Sequence, residues 1–385
     1  MPSELRVDKV SSTTSPYDPV FSTTGGALSH RNLIINGAMQ VHQRVATNTL
    51  VQASNASNTT GLTVDRFKFW ENTDGTYQTK HNAVTDLAGF TSSLYLSPNQ
   101  ADTSIASGQY AFFAQLIEAQ NLQHLAYGTA SAKTMTLSFY IKSNLTGKMT
   151  AYVAKYDNTT RIVPLEFDLP SSAGTWERIT LTVPALTETA AGVINNDNGM
   201  GLEIGWYMTA GSTYKVGTSG TWSSNSNGYS TANHNINFMG STSNYIEITG
   251  VQLELGTVAT PFEHRSYADE LRRCQRYYYK PENTVNAYLG KGHMYETGTV
   301  HLLIPHPVTM RTASVTVEAD YGSQHFYLIE TSSTNSYIAT NWSVFLNGEN
   351  ATLIQAGSVS NMTLARPVDV KISESTAYVA LNAEI

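Results

Sequence analysis

The strongest constraint on this chain is a change of period between residues 245 and 280. From Tyr245 to Leu255 apolar side chains alternate: Ile246 and Ile248, then, past Gly250, Val251, Leu253 and Leu255. Alternation puts one strand face into a core, and the slip of phase at Gly250 predicts a bulge or bend. After Pro261 the spacing turns helical, with Tyr267, Leu271, Cys274 and Tyr278 recurring on one helix face. Ser266 suits the N-cap, and Asp269 and Glu270 occupy the first turn, where the helix dipole favours acid. Arg272, Arg273 and Arg276 follow, and Pro281 ends the run. A long strand therefore closes one β-unit, a short helix leads out of it, and a second unit follows.

The segments before this stretch read as a series of strands: 65–70, 109–118, 134–142, 149–155, 162–167, 176–183 and 201–210. Turn residues separate many of them, as in 144–147, 157–158 and 171–174. Leu33, Ile34 and Ile35 form an apolar run before an Asn36-Gly37 turn, and 46–62 reads as a surface loop. Residues 119–127 fit either a short helix or an irregular crossover. Strands of this number and spacing predict a two-sheet sandwich of jelly-roll type. Beyond Pro281 the apolar runs 300–304, 313–317, 325–329, 342–346, 362–364 and 378–381 carry no helical signal. They suit a small sandwich or an intertwined trimeric tip, and the absence of a fixed period argues against a solenoid or propeller. The expected fold class is all-β: a jelly-roll sandwich, a short helix and a second, smaller β-rich domain. The expected divisions are 1–31 (an N-terminal arm), 32–265, 266–280 and 281–385.

With 385 residues there is room for two or three domains. Only 14% are charged, and Thr, Ser, Asn, Gly and Tyr, residues of strands and turns, take their place. A net charge of -7 and a pI near 5.8 oppose a nucleic-acid partner, which needs a concentrated basic face. The Arg272, Arg273 and Arg276 cluster reads as a solvated or salt-bridged helix face. Cys274 is the single cysteine, which excludes an intrachain disulfide and suits a small buried hydrophobe. No apolar run nears the roughly 18 residues of a membrane span, so no membrane insertion is expected. Met1 to Arg6 carries no apolar segment, so synthesis in a cytoplasm without a secretion signal is expected. Residues 1–31 are too polar to fold alone, and read as a floppy tail or as an arm that orders on a partner.

No catalytic motif stands out: there is no His-Glu-x-x-His, no Gly-x-Ser-x-Gly and no phosphate-binding glycine loop. His301 and His306 lack a third ligand, so no metal and no cofactor is expected. Glu118 and Glu203 lie in strand-like runs and match a glycosidase pair by residue type alone, since 30 acids on a β-protein offer many such pairs. Glycan binding has a better basis. Sugars present C–H faces that stack on aromatic rings and hydroxyls that pair with polar side chains. The polar insertion 211–235 embeds Tyr214, Trp222 and Tyr229, and Trp70 stands out of phase with Phe67 and Phe69. These four are the candidate glycan-binding residues; the alternative is that the loop aromatics pin the insertion to its own domain.

Four segments carry a family likeness: NLIINGAMQVHQR (32–44), DRFKFW (65–70), LSFYIKSNLTG (137–147) and ITGVQLELGTVATPFEHRSYADELRRCQRYYYK (248–280). In this order they resemble tail-fibre and related virion proteins of tailed bacteriophages, across residues 32–280. The long segment there closes a jelly-roll similar to carbohydrate-binding modules. The resemblance implies a structural virion protein, a tail fibre or a head or neck fibre, that presents β-domains for host attachment and glycan binding. It implies docking on other virion proteins through residues 1–31, and self-association as a homotrimer. Tyr267, Leu271, Cys274 and Tyr278 then face either a three-fold axis or the chain's own jelly-roll. A structural calcium known in such modules is not carried over, because no acid follows Asn36-Gly37 here. A polysaccharide depolymerase and a decoration protein without ligand are the competing readings.

Overall fold

The computed structural model describes residues 30–53, 59–60, 63–281, 284–320, 325–331, 334–338, 341–357 and 362–385. Except for His30 and Arg31, the expected arm 1–31 lies outside them.

The first unit comprises β1 (Val51–Ala53), β2 (Thr59–Thr60), β3 (Phe67–Asn72), β4 (Thr76–Ala83), β5 (Ser92–Gln100) and β6 (Tyr110–Glu118), then β7 (Met135–Ser143), β8 (Lys148–Lys155), β9 (Arg161–Asp168), β10 (Glu177–Val183), β11 (Met200–Ala210) and β12 (Ile246–Leu255). They form two six-stranded antiparallel sheets, β1-β4-β5-β12-β7-β10 and β2-β3-β6-β11-β8-β9. One core fills the space between them, with Phe67, Phe113 and Trp206 from one sheet meeting Leu94, Phe139 and Ile248 from the other. Trp206 stacks on Phe113 at 5.1 Å and presents its edge to Phe139 at 5.5 Å. This is the expected jelly-roll sandwich.

The closing strand β12 lies between β5 and β7, and its register slips between Thr249 and Gln252. Gly250 takes φ +62° there, with the rings of Phe90 and Tyr140 less than 3 Å from where a Cβ would stand. Both facts fix a glycine at the expected bulge. The segment read as a loop, 46–62, includes the short edge strands β1 and β2. β4 and β5 escaped the sequence reading because β4 turns Thr79 and His81 inward beside Tyr77, so its alternation is not one of hydrophobicity. Residues 119–125 form a 3-10 helix.

Helix α1 spans Tyr267–Gln275, capped as expected by Ser266, whose Oγ accepts the Asp269 N–H at 3.2 Å. It is shorter than the 266–280 linker expected. Tyr278 falls on β13 (Tyr278–Tyr279) instead, under the Arg44 guanidinium at 3.4 Å. Cys274 is fully buried by its own chain. Neither residue is therefore available to an interhelical stripe between copies, because folding of the single chain already covers both; Leu271 is half-buried and Tyr267 exposed. Arg276 takes the salt-bridged alternative, gripping Glu118 at 2.7 and 2.8 Å.

The second unit continues with β14 (Tyr288–Glu296), β15 (Thr299–Pro305), β16 (Thr316–Asp320), β17 (Phe326–Thr331) and β18 (Thr334–Tyr337), then β19 (Ser343–Leu346), β20 (Ala351–Ala356), β21 (Pro367–Ile372) and β22 (Tyr378–Asn382). A seven-stranded sheet, β18-β17-β21-β14-β15-β20-β19, and a three-stranded one, β13-β22-β16, share one core around Val300, Leu328, Ile354 and Leu381. Of the two forms open from sequence, this is the small sandwich.

The two units meet on the outer face of the second jelly-roll sheet. Arg66 pairs with Glu384, and Lys68 donates to the Ile385 oxygen. Arg311 donates to the carbonyls of Ala383 (2.6 Å), Glu384 (3.0 Å) and Asn198 (3.0 Å). One half of that face is thus covered, and the other half holds the groove described next.

Candidate functional site: an aromatic groove on the outer sheet

Strand alternation sends Phe67, Phe113 and Trp206 into the core and their neighbours outward. In the antiparallel register Trp70 of β3 stands opposite Phe112 of β6, and Phe112 opposite Tyr207 of β11. The three rings stack in sequence, Trp70 on Phe112 at 4.7 Å and Phe112 on Tyr207 at 4.9 Å. The next row along the strands is Lys68, Ala114, Gly205 and Tyr152. The Tyr152 ring lies over Gly205, 2.5 Å from where a Cβ would stand, so only glycine admits the ring there.

The 211–235 insertion folds across β8 and β9. Ile162 and Ser223 exchange backbone hydrogen bonds at 2.9 Å, and Gly220 N–H donates to the Pro164 carbonyl at 2.8 Å. This brings Tyr229 edge-on to Tyr152 at 4.9 Å and Tyr214 edge-on to Tyr110 at 5.1 Å. The result is a groove of about 300 Å³, floored by Trp70, Phe112 and Tyr207, with Tyr110, Tyr214, Tyr156 and Tyr229 around it.

Among the described residues, Glu203 is the one carboxylate lining the groove. Its Oε1 accepts from the Tyr152 hydroxyl at 2.5 Å and the Tyr156 hydroxyl at 3.4 Å, and the Tyr156 and Tyr229 hydroxyls are 3.2 Å apart. No described protein group donates to Oε2. Burial raises the Glu203 carboxyl above the usual range, while the tyrosine hydrogen bonds and the Lys68 charge pull it partway back. Burial likewise raises the phenols of Tyr152, Tyr156, Tyr207 and Tyr229, so they stay neutral donors. Chemically the groove offers apolar ring edges beside a cluster of hydroxyls and one carboxyl, because the faces of Phe112 and Tyr207 are taken up by their neighbours in the stack.

No family model matches the chain, and no curated protein matches it. Among solved structures the enzymatically active domain of tailspike protein 4 from bacteriophage CBA120 is similar at 17% identity and a TM-score of 0.27, over 58% of this chain. The chain spans 21% of that domain. A putative sugar binding protein from Bacteroides thetaiotaomicron is similar at 12% identity and 0.29, over 59% of this chain and 100% of its own. The family 11 carbohydrate-binding module from Clostridium thermocellum reaches 10% and 0.28, over 54% and 100%. At these scores the fold and the groove stand on the chain's own geometry.

Of the four residues singled out from sequence, the fold brings together Trp70, Tyr214 and Tyr229. Trp222 is elsewhere: its indole N–H donates to the Pro184 carbonyl at 2.8 Å and its ring meets Tyr127 edge-on at 5.7 Å. It pins the insertion to the main core, the structural alternative stated for it. The sequence reading missed Tyr110, Phe112, Tyr156 and Tyr207, and it gave Glu203 only as half of a carboxylate pair. The signal was present in aromatics at both phases of one strand, as in Phe112-Phe113 and Trp206-Tyr207, since one of each pair must face outward. Glu118, the other half of that pair, does not line the groove. It is fully buried, bonded by Arg276 and Tyr277. His306 bonds the Glu349 carbonyl and the Thr352 hydroxyl, while His301 stacks on Tyr295 at 4.1 Å. Among the described residues no group of three or more His, Cys, Asp or Glu could hold a metal, and no helix is long and apolar enough to cross a membrane.

Proposed function

We propose that this protein is a fibre or decoration protein of a tailed-phage virion that attaches to host-surface glycans through its aromatic groove. The groove carries the reading. Apolar aromatic surface fits the C–H groups of sugars, and neutral hydroxyls beside an open carboxylate oxygen fit their hydroxyls. The virion half rests on the sequence resemblance across residues 32–280. In this reading the protein is made in the host cytoplasm, joins other virion proteins through residues 1–31, and takes no part in nucleic-acid binding. It is a binder and not a glycosidase: hydrolysis takes two carboxyl groups flanking one bond, and Glu203 faces the groove while Glu118 is tied to Arg276. A homotrimer belongs to the reading, because several weak sites acting together hold a surface that one would not. Leu303 and Leu346, 55% and 59% exposed on the seven-stranded sheet, offer an apolar contact in place of Cys274 and Tyr278.

Glycan-array binding of the purified chain, compared with Tyr207→Ala, tests the groove. Loss of every signal in the variant, assayed below its own lowered thermal midpoint because Tyr207 is buried, is the expected result; an equal signal from both proteins rejects it. Light scattering after size exclusion tests the trimer, and a monomer there removes that part.

A further inference from the structure

The groove has a closed end. Its floor runs from Trp70 across Phe112 to Tyr207 and then meets the insertion at Tyr229, over β8. The insertion is stitched down there by the Ile162–Ser223 exchange, the Ser230–Thr150 hydroxyl bond at 3.2 Å, and Asn233 Nδ2 on Glu166 at 3.0 Å. Along the strands the way is closed too. Arg66, Lys68 and Leu116 are at most 5% exposed, with Glu384 and Ile385 set against the two cations. At the closed end the polar groups gather: the Tyr156 and Tyr229 hydroxyls and Glu203, whose Oε2 no described protein group engages. The volume, about 300 Å³, lies at the small end of ligand sites and suits one or two sugar rings.

We infer that the groove takes the end of a glycan chain and not its middle. This rests on the glycan reading above. The terminal sugar lies beside Tyr229 over the edge of Tyr207, and the hydroxyl that an internal sugar would have lost to its next linkage donates to Glu203 Oε2 beside the Tyr156–Tyr229 pair. The second sugar extends over Phe112 toward Trp70. An internal sugar fails twice: the hydroxyl placed at the polar cluster is tied up in its linkage, and the next sugar has no path past the insertion.

The test is calorimetric titration of the full chain with free oligosaccharides of one to six sugars, in separate glucose, N-acetylglucosamine, galactose, mannose and rhamnose series. The expected result is a series whose affinity is complete at two sugars and then constant within about threefold up to six, since longer chains add no contact. Glu203→Gln, whose amide oxygen still accepts the tyrosine hydroxyls, is expected to lose about tenfold equally at every length. Tyr229→Ala, which lowers the wall, should restore a gain with length. Affinity that climbs stepwise to six sugars in the unmodified chain, or a full affinity in Glu203→Gln, overturns chain-end binding while leaving a glycan groove in place. Absence of binding in all series, or unchanged binding in Tyr207→Ala, defeats the glycan reading itself and this inference with it.

Discussion

At the scale of single residues, close approaches and buried rings decide the groove. Gly205 is the position where one atom matters most, because Tyr152 occupies the space of its Cβ. Gly205→Ala should displace that ring, cost about 1–3 kcal/mol of stability as overpacking does, and weaken glycan binding through the lost Tyr152–Glu203 bond. Chemical denaturation and titration on the same variant check both effects. Two buried histidines make the protein acid-sensitive. Burial pushes His81 down to about 4 and His234 to about 3, against an ordinary 6.5. Both are neutral in the folded chain, whereas in the unfolded chain they take up protons below 6.5. A depressed folded value means stability is fully present above 6.5 and is lost as pH falls toward 4 and then 3. The thermal midpoint should fall across that window, and His234→Leu should flatten the fall; a midpoint constant between pH 6.5 and 4 contradicts the assignment.

At the scale of elements, α1 is a strut between the units. Its cap and first turn were readable from Ser266, Asp269 and Glu270, but its exit is set by Arg276 and Tyr277 reaching back to Glu118 on β6. Burial pushes the Glu118 carboxyl up, yet hydrogen bonds from Arg276 and Tyr277 outweigh it and hold it below the ordinary carboxylate range. That depressed value gives stability present at neutral pH and lost on acidification through the carboxylate range. Arg276→Met strands a buried carboxylate and should cost about 3–5 kcal/mol; Glu118→Gln should cost less, since no charge is left behind. Urea unfolding at pH 7 orders the two, and the reverse order would mean that α1 is held by other contacts. The 211–235 insertion is held at several points: Trp222 anchors it to the main core, while Tyr214 and Tyr229 pack edge-on against Tyr110 and Tyr152 and line the groove.

At the scale of the molecule, the second unit covers part of the first. Its last residues sit on Arg66 and Lys68, charged side chains only 2% and 5% exposed. Removing residues 281–385 should therefore bare these cations and the neighbouring Leu116, lower the jelly-roll's thermal midpoint, and increase its binding of an apolar dye. An unchanged midpoint would mean that the two units are independent. The sequence by itself determined the strand-to-helix switch at 245–280, the bulge at Gly250 and the all-β class. It did so because each rests on local patterns of period, conformational freedom or capping chemistry, legible in short stretches of the chain. Trp70, Tyr214 and Tyr229 were legible as rings without a core to join. Only the tertiary structure decided that Phe112 and Tyr207 lie between them, that Trp222 turns inward, that Cys274 and Tyr278 are covered by their own chain, and that Glu203 and Glu118 part company. Those outcomes depend on strand register, on which sheet face the second unit covers, and on contacts between residues far apart in the chain. No local pattern encodes them, because each is settled by which surface reaches a side chain first once the sheets have packed.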